Sequence, residues 1–249
     1  HRFYVDGTPT ATDVDLSNTA ANQPTPPAPS WATVLIGGVA KGGRGYYALN
    51  ITTPTALSDA AVASKVMWEF PNPSTSAAIS NNIGYTYGTP LNVKTKAAGW
   101  VTLVTSGYNN GSDTGGDGAG HLYVLNTATG AVIKDLSTGV GTSASPSGLA
   151  KISAFLANPG VDDTTDYVYG GDLLGNVWRF DLSNASVSNW NVKKLATLVD
   201  KTGVAQPITG TPELGVVNGK RMVYVGTGEY LGATDIPGAT GANASATQQ

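Results

Sequence analysis

The sequence predicts an all-β fold from its composition, its short alternating segments and the repeated order of those segments. The 249 residues include 32 glycines and 14 prolines, while only 12% are charged. This composition supplies many turns and few of the charged residues that cover exposed helices. Only one short stretch, residues 59–65 (DAAVASK), is typical of a helix.

The strand pattern is clearest in a hairpin at residues 162–183. Residues 167–169 are β-branched or aromatic, and residues 177–182 alternate between two faces, the two-residue period of a half-buried strand. The glycine-rich segment between them provides turn residues. We expect Trp178 and Phe180 on one face of the second strand and Arg179 on the other.

Four Thr-Pro or Ser-Pro turns each open a similar series of short strands. They lie at residues 7–10, 88–91, 144–147 and 210–213. Four strand-like segments follow each of the first three turns, and two follow the last. A repeated four-stranded unit is typical of β-propeller blades, because one twisted sheet cannot bury both faces and needs a neighbour on either side.

The predicted strands fall into four series. They cover residues 10–16, 33–38, 45–51 and 66–70; then 91–94, 100–104, 121–126 and 131–135; then 148–155, 167–169, 176–182 and 192–195; and finally 214–217 and 222–225. An antiparallel β-sandwich stays open as an alternative, since short strands joined by turns suit both folds.

The repeats predict that residues 1–249 form part of one β-propeller domain, with about three and a half blades present. The blades cover about residues 1–80, 81–140 and 141–200, with a partial blade at 201–249. Because propellers close with about four to eight blades, we expect the flanking blades and an N-terminal region to be missing from this sequence.

Charge and residue usage exclude several function classes. The net charge of -3 and the scattered Lys and Arg argue against a nucleic-acid partner. The absence of cysteine excludes disulfides and thiolate sites, and no apolar run approaches the roughly 20 residues of a membrane span. No catalytic motif accompanies the two histidines. We expect His121, at the start of a strand, to be a partly buried structural residue.

The acidic loop, residues 158–166, leads into the first strand of the hairpin and resembles a degenerate calcium loop. Calcium loops place oxygen ligands at alternate positions, and counting back from Asp166 as position nine gives Asp162, Thr164 and Asn158 as candidate ligands. Gly160, at position three, has no side-chain oxygen, so a solvated acidic turn is an equal alternative. We predict weak or no Ca²⁺ binding here.

A second acidic stretch, at residues 109–118, is an alternative metal loop. Asn110, Asp113 and Asp117 are its candidate ligands, although any exposed hairpin loop is rich in Gly, Asn and Asp. The five tryptophans fall on or beside predicted strands, where packing between blades is the favoured interpretation and a ligand-stacking platform is the alternative.

Several motifs resemble, in order and across nearly the whole chain, the C-terminal propeller of the PilY/PilC family of bacterial type IV pilus tip-associated proteins. The matching segments are residues 1–10 (HRFYVDGTPT), 33–52, 64–70 (SKVMWEF), 83–90 (IGYTYGTP), 106–111 (SGYNNG), 122–130 (LYVLNTATG), 169–183 (YGGDLLGNVWRFDLS), 206–213 (QPITGTPE) and 223–232 (VYVGTGEYLG).

The resemblance implies a modified β-propeller that is exported and lies at the pilus tip or cell surface. It implies a non-enzymatic role in adhesion, pilus biogenesis and twitching motility, with minor pilins of the tip complex and a host or surface receptor as partners. It also implies a calcium loop just before residues 169–183, which here is the loop that lacks a ligand at Gly160. The alternative is a quinoprotein-type propeller enzyme, because residues 45–50 followed by Trp68 also resemble the repeats of that class.

Overall fold

The computed structural model describes residues 3–17, 28–55, 58–157, 159–232 and 235. Within these residues the strands form three four-stranded sheets and one two-stranded sheet, all antiparallel. The first sheet contains β1 (Thr10–Asp15), β2 (Trp31–Gly38), β3 (Tyr46–Asn50) and β4 (Val66–Phe70). The second contains β5 (Leu91–Thr95), β6 (Gly99–Thr105), β7 (His121–Asn126) and β8 (Val132–Ser137). The third contains β9 (Ile152–Leu156), β10 (Thr165–Gly171), β11 (Asn176–Asp181) and β12 (Asn191–Thr197), and the fourth contains β13 (Glu213–Val217) and β14 (Lys220–Tyr224).

Each sheet pairs its strands in chain order, which is the meander of a propeller blade. Three such sheets followed by a hairpin confirm the prediction of an all-β propeller with about three and a half blades. The strand predicted at residues 148–155 was wrong at its start, since β9 begins at Ile152. The reason is that the preceding segment bonds to the second sheet, where Leu149 O accepts from Gly107 N and Ala150 O accepts from the Thr105 hydroxyl.

The helices are few and short. The predicted helix is α1 (Asp59–Ala63), whose first turn is capped by the Ser58 hydroxyl accepting from Ala61 N. A second helix, α2 (Ala77–Ser80), and a 3-10 turn at Val187–Asn189 had no clear sequence signal. None of the helices in the described part of the chain has the length and apolar character needed to cross a membrane.

The second sheet is buried on both faces, because its side chains alternate between two neighbours. Leu103, Leu122 and Val124 pack in one hydrophobic cluster with Val168 and Phe180 of the third sheet. The adjacent residues point the other way. Val104, Tyr123 and Leu125 pack in a second cluster with Ile36 and Phe70 of the first sheet. The period of two thus builds a stack of blades rather than a single half-covered sheet.

The faces of β11 follow the prediction. Trp178 and Phe180 are buried in the cluster between the second and third sheets. Arg179 lies on the opposite face, where its guanidinium stands 4.7 Å from the ring centroid of Tyr167.

Two of the repeated Thr-Pro turns accept a hydrogen bond from the preceding blade. The Thr10 hydroxyl, on the first strand of the first sheet, donates to Pro90 O at 3.0 Å. The Ser153 hydroxyl, on the first strand of the third sheet, donates to Pro212 O at 2.6 Å. Each proline directly precedes the first strand of the next sheet, so these two turns hold the first strands of successive blades side by side.

A fully buried carboxylate organises the turn between β10 and β11. Asp172 is 0% exposed. Its Oδ1 accepts from the backbone N–H groups of Leu174 and Asn176, and its Oδ2 accepts from Asn176 Nδ2 at 3.0 Å and Trp178 Nε1 at 2.8 Å. The Asp172 carbonyl also accepts from Ile208 N, in the segment that leads to the fourth sheet. A buried charge is tolerated only when it is bonded in this way.

Asp172→Ala should lower the free energy of unfolding by at least about 3 kcal/mol, since each buried donor left without an acceptor costs about 1–3 kcal/mol. Urea unfolding followed by circular dichroism measures the change. Asp181→Ala is the matched control, because Asp181 accepts from Ser183 at an exposed position and its loss should cost less than about 1 kcal/mol. Equal losses in the two variants would contradict the role of Asp172.

Candidate functional site

The acidic loop joins β9 to β10, and its carboxylates bond within the loop itself. Asp162 Oδ1 accepts from the backbone N–H of Thr164 at 3.0 Å and from its hydroxyl at 2.8 Å. Asp163, at a φ of 50°, accepts from Gly160 N at 2.7 Å. The predicted ligand Asn158 lies outside the described residues. The described part of the loop is therefore shaped by Asp side chains that close tight turns.

Asp166 faces away from these turns toward the fourth sheet. Its Oδ2 lies 2.6 Å from Nη1 of Arg221 on β14, with only 13% of the Asp166 side chain exposed. The Arg221 guanidinium also lies 5.1 Å from the Phe155 ring and 5.4 Å from the Tyr167 ring. One cation thus joins the third and fourth sheets through a carboxylate and two aromatic rings.

These contacts leave few loop oxygens for a calcium ion, which takes about six to eight. The Thr164 carbonyl accepts from Ala157 N at 2.6 Å, and the Thr164 hydroxyl donates to Asp162. Asp166 keeps one buried oxygen, Oδ1, without a hydrogen-bond partner among the described residues. Among the described residues, no group of three or more Asp, Glu or His side chains is arranged so that it could hold a metal ion. The described residues fit calcium poorly, and weak binding stays a prediction.

The second acidic loop gives its three candidate ligands different surroundings. Asn110 is fully buried and donates to Ala119 O at 2.7 Å. Asp117 accepts from Ala119 N and faces His121. Asp113 is exposed and lines a separate cavity of about 210 Å³ with Ser143. The alternative metal loop also stays a prediction, and its described contacts are those of a folded hairpin loop.

His121 is held between two carboxylates. Its Nδ1 lies 2.8 Å from Asp135 Oδ1, its Nε2 lies 3.2 Å from Asp117 Oδ2, and its ring stacks on Tyr123 at 5.5 Å. Burial of the ring lowers its pKa, but the hydrogen bond to Asp135 and the charges of Asp135 and Asp117 outweigh that effect and raise the pKa above its usual value. Both ring nitrogens are thereby engaged, and the residue is buried, so a structural role for His121 stays the favoured interpretation.

The tryptophans divide into two groups. Trp68, Trp178 and Trp190 are buried, and their indole N–H groups donate to Thr127 O, Asp172 and Asn184 O. For these three the packing interpretation is confirmed. Trp31 and Trp100 instead form an edge-to-face pair with ring centroids 6.4 Å apart, and 61% of Trp31 is exposed.

Two important residues carried no clear sequence prediction. The sequence places Asp172 in the turn and gives it no further role. Its carboxylate accepts from Asn176, four residues later, and from Trp178, six residues later, and this spacing is the signal that could have identified it. Arg221 had no local signal, because its partner Asp166 lies 55 residues earlier in the chain.

Comparison with known proteins identifies the family. The PilY1 β-propeller domain matches residues 1–246. The chain belongs to the PilY1 β-propeller family. The PilY1 C-terminal domain of Pseudomonas aeruginosa, a solved crystal structure, superposes with a TM-score of 0.69 at 29% identity and covers 92% of this chain. The resemblance and the propeller fold predicted from the sequence are thus confirmed.

The PilY1 relatives are much longer than this chain. The type IV pilus biogenesis factor PilY1 of P. aeruginosa is 30% identical over 258 residues, which is 94% of this chain and 20% of that protein. A PilY1 homolog of Xylella fastidiosa is 31% identical over 251 residues, which is 94% of this chain and 15% of that protein. The chain also spans 45% of the solved PilY1 domain.

Arg221→Gln should strengthen calcium binding about tenfold by removing a positive charge from Asp166. For the parent chain we expect a Kd on the order of 1 mM or weaker. Calorimetric titration with calcium chloride measures both values. Lys220→Gln, which removes an exposed charge from the adjacent position of β14, should leave the affinity unchanged. A submicromolar site in the parent chain that Asp162→Ala abolishes would contradict the expectation.

Proposed function

We propose that this chain is a non-enzymatic module of a type IV pilus biogenesis factor that binds minor pilins of the pilus tip complex or a surface receptor. The observation that carries the proposal is the match of the PilY1 propeller domain to residues 1–246, together with relatives that are named type IV pilus biogenesis factors. Such a role places the chain outside the cell, at the pilus tip or the bacterial surface.

The arrangement of the polar side chains supports binding rather than catalysis. Asp172 is enclosed by four donors, and His121 has a carboxylate at each ring nitrogen. The ion pair of Asp166 with Arg221 joins two sheets. These charged groups hold loops and blades in place, and a rigid propeller with long connecting loops presents binding surfaces on its faces.

The same ion pair supports a role that does not depend on calcium. Because the Arg221 guanidinium supplies a positive charge at Asp166, the contact between the third and fourth sheets would not need a metal ion. Modulation of pilus extension and retraction through this chain would then follow from partner binding rather than from calcium occupancy.

The pilus role is tested in a bacterium that makes the full-length protein containing this chain. We expect removal of residues 1–249 in frame to abolish surface pili, measured by electron microscopy and by shearing of surface pilin. Full-length Asp172→Ala should reduce the number of pili, since it loosens the third blade, whereas the control Asp181→Ala should leave the number unchanged.

Export of each variant is confirmed by surface immunoblotting, so that loss of pili reports on the propeller and not on secretion. Unchanged pili after removal of these residues, with the remaining protein exported, would overturn the proposal. Turnover of an alcohol by the purified chain with added pyrroloquinoline quinone would also overturn it, in favour of a quinoprotein enzyme.

A further inference from the structure

A cavity of about 460 Å³ lies at one end of the first and second sheets and is lined by an aromatic pair. Trp31 begins β2 and Trp100 lies on β6, and their rings meet edge to face with an interplanar angle of 72°. Trp31 is 61% exposed, so most of its surface faces solvent rather than a core. We call this cavity the tryptophan groove.

Carboxylates from two different blades line the same groove. Asp13 and Asp15 alternate along β1 and therefore share a face, and Asp15 pairs directly across from Trp31. Asp162 and Asp163 reach the groove from the acidic loop of the third sheet. Among the described lining residues, four carboxylates and one ammonium group, that of Lys94, share the groove with the two indole rings.

These carboxylates are fixed in position by their own hydrogen bonds. Asp13 Oδ1 accepts from the Thr33 hydroxyl at 2.6 Å, Asp15 Oδ1 accepts from Ser30 N at 2.8 Å, and Asp163 Oδ1 accepts from Gly160 N at 2.7 Å. These carboxylates are not arranged as a metal-binding cluster among the described residues. A wide rim of fixed negative charge around an aromatic surface matches a flat, extended cation better than a metal ion.

A guanidinium group has the required chemistry. It is planar, stacks on an indole face and donates two parallel hydrogen bonds to a carboxylate. The chain already uses this combination internally, where Arg221 pairs with Asp166 and lies over the rings of Phe155 and Tyr167. The tryptophan groove offers the same kinds of group, carboxylates and aromatic rings, and its described lining residues include no arginine.

We propose that the tryptophan groove binds an arginine-bearing segment of a partner protein. The guanidinium stacks on Trp31 and pairs with the carboxylates of β1 and of the acidic loop. Lys94, on β5, lies across from Trp100 of β6. It forms no ion pair with a carboxylate in the described part of the chain. Its ammonium group repels a cationic ligand and so limits the affinity.

The proposal is tested on the purified chain with a tetra-arginine peptide blocked at both ends, at an ionic strength of about 0.15 M to screen general attraction. Proton–nitrogen NMR resolves the five indole N–H signals. We expect saturable shifts of the Trp31 and Trp100 signals, while those of Trp68, Trp178 and Trp190, which donate to buried acceptors, stay unchanged. The buried indoles serve as an internal control.

Variants identify the contributing groups. Trp31→Ala should weaken binding about fivefold or more, which is the size of a cation–π contact, and the four remaining indole signals report that the fold is intact. Tyr4→Ala, at an aromatic residue that is 76% exposed, should have no effect. Lys94→Gln should strengthen binding about threefold, while Lys96→Gln, at an exposed lysine outside the groove, should not.

Four results would overturn the proposal. Shifts of all five indoles, or an affinity that Trp31→Ala leaves unchanged, would show general charge attraction. Equal binding of blocked tetra-lysine would exclude recognition of the guanidinium. Saturable shifts of Trp31 and Trp100 with the neutral sugar cellotetraose, and none with tetra-arginine, would show a carbohydrate site instead. The groove test measures binding by the chain alone, so its failure is distinguishable from loss of pili in the full-length protein.

Discussion

The buried carboxylate of Asp172 is the interaction on which the third blade depends. It closes the turn between β10 and β11 with two backbone donors, and it fixes the indole of Trp178 in the core between the second and third sheets. Its carbonyl also holds the segment that leads to the fourth sheet. Because an unpaired buried charge is costly, the turn, the indole and the next blade are arranged together around this one group.

Carboxylates of the acidic loop and of β10 also hold or contact neighbouring blades. The start of β10 places Asp166 where Arg221 of the fourth sheet reaches it, and the acidic loop before β10 places Asp162 and Asp163 beside the tryptophans of the first and second sheets. The family resemblance implies that the acidic loop binds calcium, yet its described carboxylates accept hydrogen bonds from backbone, hydroxyl and guanidinium donors. In a propeller, where neighbouring blades are packed side by side, a single loop can contact several blades.

The sequence predicted what depends on local pattern. Alternation of side chains located the strands of every sheet, and the repeated Thr-Pro and Ser-Pro turns marked where each series of strands begins. Both signals are local, because each is contained in a few consecutive residues. The candidate site was harder to predict, since counting positions toward Asp166 gives its place in the loop and not the direction of its carboxylate. The Arg221 ion pair and the tryptophan groove join segments from different blades, and such contacts exist only once the sheets are stacked.

Native-state hydrogen exchange tests the central claim about Asp172 most directly. The indole N–H of Trp178 and the backbone N–H of Asn176 both donate to its carboxylate. If that carboxylate holds the third blade together, both protons exchange only when the whole blade unfolds, with the same protection as the Val168 amide in the middle of β10. Rapid exchange of the Trp178 indole and the Asn176 amide, while Val168 stays protected, would contradict the account.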